Sequence, residues 1–232
     1  MPVPDRDKPM ILYKYLSVEK ADEWLIGEHS ILLTPPLYLN DLLEFRVRRE
    51  PADAEERRAM FEEFQRDRPS NLTFEEFNRA ITSNEHMDGE GEDMRRGLSE
   101  AVGVVSLTSD PVNELMWAHY GLNTGVAIGY RSSDVTERNG LRGRSLSLGL
   151  ALEVNYTNEV FLLKRDFSDA ALHLSTKRIC WVYEKEWRIV EGLQEARIIA
   201  RGDKNFYTLP AQRDQIAMWC SVPMRNRLSL RG

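Results

Sequence analysis

Three places in this 232-residue chain set reactive side chains beside stretches that read as strands. The last of them, YEKEWR at 183–188, puts Glu184, Glu186 and Arg188 on one face if a strand has begun by residue 184. Two carboxylates and a guanidinium in a row are costly to bury unless they pair with one another or with a ligand. The row therefore reads either as a solvated, salt-bridged strand face or as a catalytic carboxylate held by an arginine. A single glutamate in a cleft can stabilise an oxocarbenium-like ribosyl cation as its leaving group departs, which is what breaking a nicotinamide–ribose bond requires. A glycosidase needs two acids across the bond, and Asp41, Glu44 and Glu186 could supply them.

The second place is Ser106 and Thr108, at the end of an apolar run, followed by Trp117, His119 and Tyr120. Ser106 is not in the glycine-flanked elbow of hydrolases, so His119 reads better as a group that orients a ligand, or as a satisfied structural histidine, than as the base of a triad. The third is Tyr13, Lys14 and Tyr15, where two aromatics two residues apart can edge a planar ring such as nicotinamide or adenine. The plain alternative is a core tyrosine beside a solvated lysine. Asn40, Asp41 and Glu44 complete the candidate binding set. Asp41 and Glu44 with a late glutamate would suit a metal-dependent hydrolase. No metal is expected, because four His and two Cys lie scattered without ligand spacing.

The elements that must position these groups follow from pattern. ILYKY at 11–15 reads as an opening strand. Ser17 stands as cap of a helix that turns Ala21, Trp24 and Leu25 inward and stops at Gly27. Ser30–Leu33 is a second strand broken by Pro35 and Pro36, and 37–45 a loop entering a short helix. An acidic segment at 51–98 predicts surface helices near 53–67, 73–82 and 91–99, with a Thr73–Glu76 capping box and a mobile connection at 83–92. VGVVSL at 102–107 is a strand buried on both faces. Asp110 with Pro111 starts a short helix that ends at Gly121. Strands at 125–130, 150–156 and 186–192 flank an exposed excursion at 131–148 and a helix at 165–178, the latter burying Phe167, Ala170, Ala171 and Leu174. Three tail segments, ARIIA, NFYTLP and QIAMWCSV, add edge strands or a closing helix, with Met218, Trp219 and Cys220 in the core or at an interface. Without a regular βαβ rhythm this is α+β, one domain over 1–232 with 51–98 as a helical insertion.

A formal net charge of -6 excludes extended duplex nucleic acid as main partner. The chain has no membrane-length apolar run and no secretory leader, so a cytoplasmic protein is expected, its two cysteines, Cys180 and Cys220, reduced. The dinucleotide-binding glycine pattern and the phosphate-loop signature are missing.

YKY, LND with Glu44 three residues after Asp41, SLTSD, LMWAHYG, GVAIGY and YEKEWR occur in this order. Together they resemble DUF2971, a family of uncharacterised bacterial proteins, over about residues 11–191. That resemblance implies no activity. A second likeness, to ADP-ribosyltransferases, implies a split mixed or antiparallel β-sheet with flanking helices that grips NAD as substrate. Tyr13 or Lys14 would then stand in the first motif, Ser106 and Thr108 in the second, and Glu186 as catalytic carboxylate beside Glu184. The first strand departs from that pattern, which has Arg or His there. The acceptor is undetermined, and a bacterial defence role rests on analogy. Three readings result: a transferase or NAD glycohydrolase, a non-catalytic nucleotide sensor, and a metal-dependent hydrolase. A transferase requires Glu186 open in one cavity with Tyr13 and Ser106; a sensor would have it paired to Arg188 and occluded.

Overall fold

The computed structural model describes residues 9–41, 43–131, 151–164, 166–211 and 216–221. Along the chain the first strands are β1 (Ile11–Leu16), β2 (Ser30–Leu33), β3 (Val47–Arg49), β4 (Val102–Thr108) and β5 (Val126–Arg131). There follow β6 (Leu152–Glu153), β7 (Asn155–Thr157), β8 (Phe161–Leu163), β9 (Thr176–Arg178) and β10 (Glu186–Gly192). The last three are β11 (Arg197–Arg201), β12 (Lys204–Pro210) and β13 (Ile216–Ser221). The helices are α1 (Val18–Lys20), continued by a π-helical stretch at Ala21–Gly27, α2 (Ala54–Asp67), α3 (Phe74–Ile81), α4 (Asn84–Ala101), α5 (Glu114–His119) and α6 (Ala170–Leu174). The fold is mixed α+β.

Six strands form an antiparallel sheet in the order β13-β5-β1-β4-β10-β6, and β11-β12-β2 form a second antiparallel sheet. β3 with β8 and β7 with β9 make two small parallel pairs. In the large sheet β1 runs beside β5 over its whole length, yet meets β4 at one residue pair, Tyr13 with Thr108. Two pairs further along the same edge of β4, Val104 exchanges both backbone hydrogen bonds with Thr34, at 2.9 Å each. Between these contacts Ser106 faces a gap in the ladder.

Strand alternation sorts the two faces of β10. Trp187 and Ile189 join Leu12, Leu33, Val105, Leu107, Ile128 and Leu209 in the apolar core, while Glu186 and Arg188 turn to the other side. Ala21, Trp24 and Leu25 are buried, and the Ser17 hydroxyl accepts the Lys20 N–H at 3.3 Å. Thr73 and Glu76 form their capping box.

Several elements differ from expectation. The connection placed at 83–92 is the first half of α4. Its glycines do not break it, and Gly91 is where α4 lies against β3: a Cβ there would stand 2.1 Å from the Val47 carbonyl oxygen. Leu37 N–H donates to Ser99 Oγ at 3.1 Å, so α4 also fixes the stretch leading to Asn40. Residues 37–45 hold a 3₁₀ turn at Pro36–Tyr38 and further turns, and no helix among the described residues. α5 begins at Asn113, whose side chain accepts two N–H groups, because Asp110 is engaged in a turn with Val112 N–H. The helix expected over 165–178 shrinks to α6; Phe167 and Ala171 are exposed, His173 is the buried residue, and 176–178 is β9. The strand expected at 150–156 divides into β6 and β7 around Val154. Beyond Arg131 the excursion at 131–148 lies outside the described residues, as do the side chains of Met218, Trp219 and Cys220. No helix among the described residues is long and apolar enough to cross a membrane.

Candidate functional site

The polar face of β10 ends on a buried cluster of charge. Glu44, Lys177, Glu184, Glu186 and Arg188 are 3%, 5%, 3%, 2% and 0% exposed. Charges so far from water persist only when paired, and these pair closely. Lys177 Nζ lies 2.5 Å from Glu184 Oε2 and 2.8 Å from Glu186 Oε2. Arg188 grips Glu186 with Nε to Oε1 at 2.9 Å and Nη2 to Oε2 at 3.1 Å. Its Nη2 also meets Glu44, and its Nη1 donates to the Leu174 carbonyl at 3.1 Å.

Glu184 and Glu186 do share a side, though not through strand geometry. Glu184 closes a 3₁₀ helix at Ile179–Glu184, and Lys185 follows in the left-handed region at φ 44°. Two links hold that turn. Lys185 Nζ pairs with Asp110 at 2.9 Å, and Thr108 Oγ1 donates to the Glu184 carbonyl at 2.6 Å. Tyr120 donates its hydroxyl to Glu184 Oε1 at 2.5 Å and accepts the Asn40 amide. Tyr156 accepts the Glu186 backbone N–H at 2.8 Å.

A cleft of about 360 Å³ opens over this cluster at the gap between β1, β2 and β4. Glu184, Glu186 and Lys177 lie at its floor; Tyr13, Lys14, Tyr15, Lys20, Asn40, Ser106, His119 and Tyr120 border it. Lys14 Nζ donates to the Ser106 carbonyl at 2.9 Å, bridging the break between the strands. Burial lowers the Lys14 ammonium to about 8, against an opposing pull from Glu186. Burial, with Glu184 beside it, pushes the Glu186 carboxyl up while Lys177 pulls it back. Burial works against the charge of Lys177 as well, but Glu186 and Glu184 hold its ammonium above the ordinary range. Tyr120 is raised by burial and by Glu184, so it stays a hydrogen-bond donor.

The structure thus brings Tyr13, Lys14, Tyr15, Asn40, Ser106, His119, Tyr120, Glu184 and Glu186 to one cleft. Five expected site residues do not line it. Thr108 is fully buried, its hydroxyl bound to backbone at Glu184 and Asp110. Trp117 packs edge-on to Tyr15 with ring centres 4.8 Å apart, in an apolar cluster. Arg188 and Glu44 lie beneath the floor. Asp41 is held by Arg178 through two bonds of 2.8 and 3.1 Å, and these keep its carboxyl below the usual range despite burial. Among the described residues no group of His, Cys, Asp and Glu is arranged to hold a metal ion; the three converging carboxylates surround Lys177 and Arg188 instead.

Lys177 is the residue that sequence reasoning missed. It sat within the expected helix at 165–178, and β9, a three-residue strand in a parallel pair, carries no periodic signal. A charge argument could have found it: three glutamates that converge need more than one cation.

Residues 116–189 match the family model "Protein of unknown function (DUF2971)". This segment runs from α5 to the middle of β10 and holds Tyr120, Lys177, Glu184, Glu186 and Arg188, but not Lys14, Asn40 or Glu44. No curated protein and no solved structure matches the chain.

Proposed function

We propose that the cleft binds a nucleotide-like ligand, with Glu186 accepting a hydrogen bond from a hydroxyl group of the ligand. One observation carries this reading: Glu186 stands at the floor of a 360 Å³ cleft with its carboxylate fixed by Lys177 and Arg188. A volume of that size suits a small organic ligand. Exposed Tyr38 and half-buried Tyr120, both lining the cleft, offer flat apolar surface to a ring. With three bonds from Lys177 and Arg188, Glu186 keeps one acceptor site, on Oε1, held in a set direction. The clamp by Arg188 and the 2% exposure of Glu186 favour recognition over catalysis.

A second reading, cleavage of the nicotinamide–ribose bond of NAD by a transferase or glycohydrolase, draws on Glu186 sharing the cavity with Tyr13 and Ser106. In that case Glu186 would stabilise the ribosyl cation and Glu184, tied to Tyr120, would orient the acceptor. A single experiment addresses both. NAD and ADP-ribose are titrated calorimetrically into the protein and into Glu186→Gln, and nicotinamide is assayed in the NAD samples. Binding without nicotinamide release supports the sensor, and release abolished by Glu186→Gln supports the enzyme. No saturable binding of either compound at millimolar concentration rejects the nucleotide reading.

A further inference from the structure

Several exposed cations pair with carboxylates: Lys185 with Asp110, Arg197 with Glu28, Arg178 with Asp41. Lys14 and Lys20, both bordering the cleft, make no ion pair among the described residues. Lys14 is half-buried, and its ammonium has one acceptor there, the neutral carbonyl of Ser106. A partly desolvated ammonium with donors to spare is a site that favours an anion. Lys20 stands close enough that its charge helps to lower Lys14, so the two ammonium groups act on one region of the cleft. In an antiparallel strand both polar groups of a residue turn to one edge; the Ser106 N–H therefore shares the open edge on which its carbonyl meets Lys14. On the floor and just beneath it, Glu44, Glu184 and Glu186 against Lys177 and Arg188 leave one negative charge, which Lys14 and Lys20 exceed by one.

We propose that the gap in the β4 edge at Ser106 is an anion subsite for a phosphate or pyrophosphate group, held by Lys14 and Lys20. It rests on the nucleotide reading for the rest of the ligand, but the anion can be tested alone. Inorganic pyrophosphate is titrated into the protein, Lys14→Met, Lys14→Arg and Lys20→Met, with ADP-ribose titrated in parallel. Pyrophosphate should saturate the unaltered protein and weaken about tenfold in Lys14→Met, the loss expected for a charge-assisted hydrogen bond. Lys20→Met should weaken it severalfold, and Lys14→Arg should retain it. Should Lys14→Met fail to fold, the exposed Lys20 carries the test. Pyrophosphate that does not saturate, or that binds both methionine variants unchanged, overturns the subsite. ADP-ribose binding that is indifferent to both substitutions also overturns the subsite while sparing the nucleotide reading. Lysine-dependent pyrophosphate binding without ADP-ribose binding upholds the subsite and removes the nucleotide.

Discussion

Lys177 Nζ lies 2.5 Å from the Glu184 carboxylate, and both residues are at most 5% exposed. Lys177 also bonds Glu186, so its removal leaves two buried carboxylates facing one another with Arg188 as their remaining cation. Lys177→Met should cost about 3–5 kcal/mol of stability, the penalty of a broken buried ion pair. The double variant with Glu184→Gln should recover part of that loss. Urea denaturation of the unaltered protein and the two variants measures it, and equal losses in the single and double variants would contradict the pairing.

Gly89 and Gly91 lie two residues apart in α4 and should respond to alanine in opposite directions. Nothing lies within 4 Å of a Cβ at Gly89, so Gly89→Ala should stabilise by about 0.5–1 kcal/mol through helix propensity and chain entropy. A Cβ at Gly91 meets the Val47 carbonyl, and Gly91→Ala should cost about 1–3 kcal/mol by forcing α4 from β3. Thermal midpoints of the two variants give the signs.

Thr108→Val tests whether Thr108 acts as a brace. Its hydroxyl serves the Glu184 carbonyl and the Asp110 N–H, and valine would leave both unsatisfied. A loss of about 1–3 kcal/mol is expected. Ligand affinity should fall with it, since the Glu184 turn then loosens. A variant of full stability with lost affinity would instead place Thr108 in contact with ligand.

Lys14 gives a pH signature. Its folded value of about 8 lies below the roughly 10.4 of an unfolded lysine. Between these values the unfolded chain binds the extra proton, so stability from this group rises with pH from about 8 to 10. Lys20, Lys177, Glu184 and Glu186 are the charges that set this value along with burial. Pyrophosphate affinity should move the other way, falling as pH passes 8 and the ammonium is lost. Both trends should vanish in Lys14→Met, as denaturation and titration at pH 7, 8, 9 and 10 would record.

The strands at the site were legible because two-residue alternation and β-branched runs carry their own signal: Ser30–Leu33 and Glu186–Gly192 fall where the pattern puts them. Of the row Glu184, Glu186 and Arg188, the pairing of Glu186 with Arg188 was one of the readings the sequence allowed, whereas Glu184 leaves the strand and pairs with Lys177. What remained hidden depends on contacts distant in sequence. β3, β8 and β9 are three residues long and exist through parallel pairing. Gly89 and Gly91 fall in the stretch that reads as a mobile connection because helix propensity says nothing of a neighbour; Val47 explains the glycine at 91. The segment match at 116–189 shows the same divide. It takes in the late glutamates and Lys177, while Lys14, Lys20 and Asn40, which also line the cleft, lie before it.

The single pair Tyr13–Thr108 has a mechanical meaning. It is the one rung of the six-stranded sheet that joins β13-β5-β1 to β4-β10-β6. Shear between those two halves passes through this rung, the Lys14 tether to Ser106 and the core packed behind them, so the cleft lies where the sheet is least stiff.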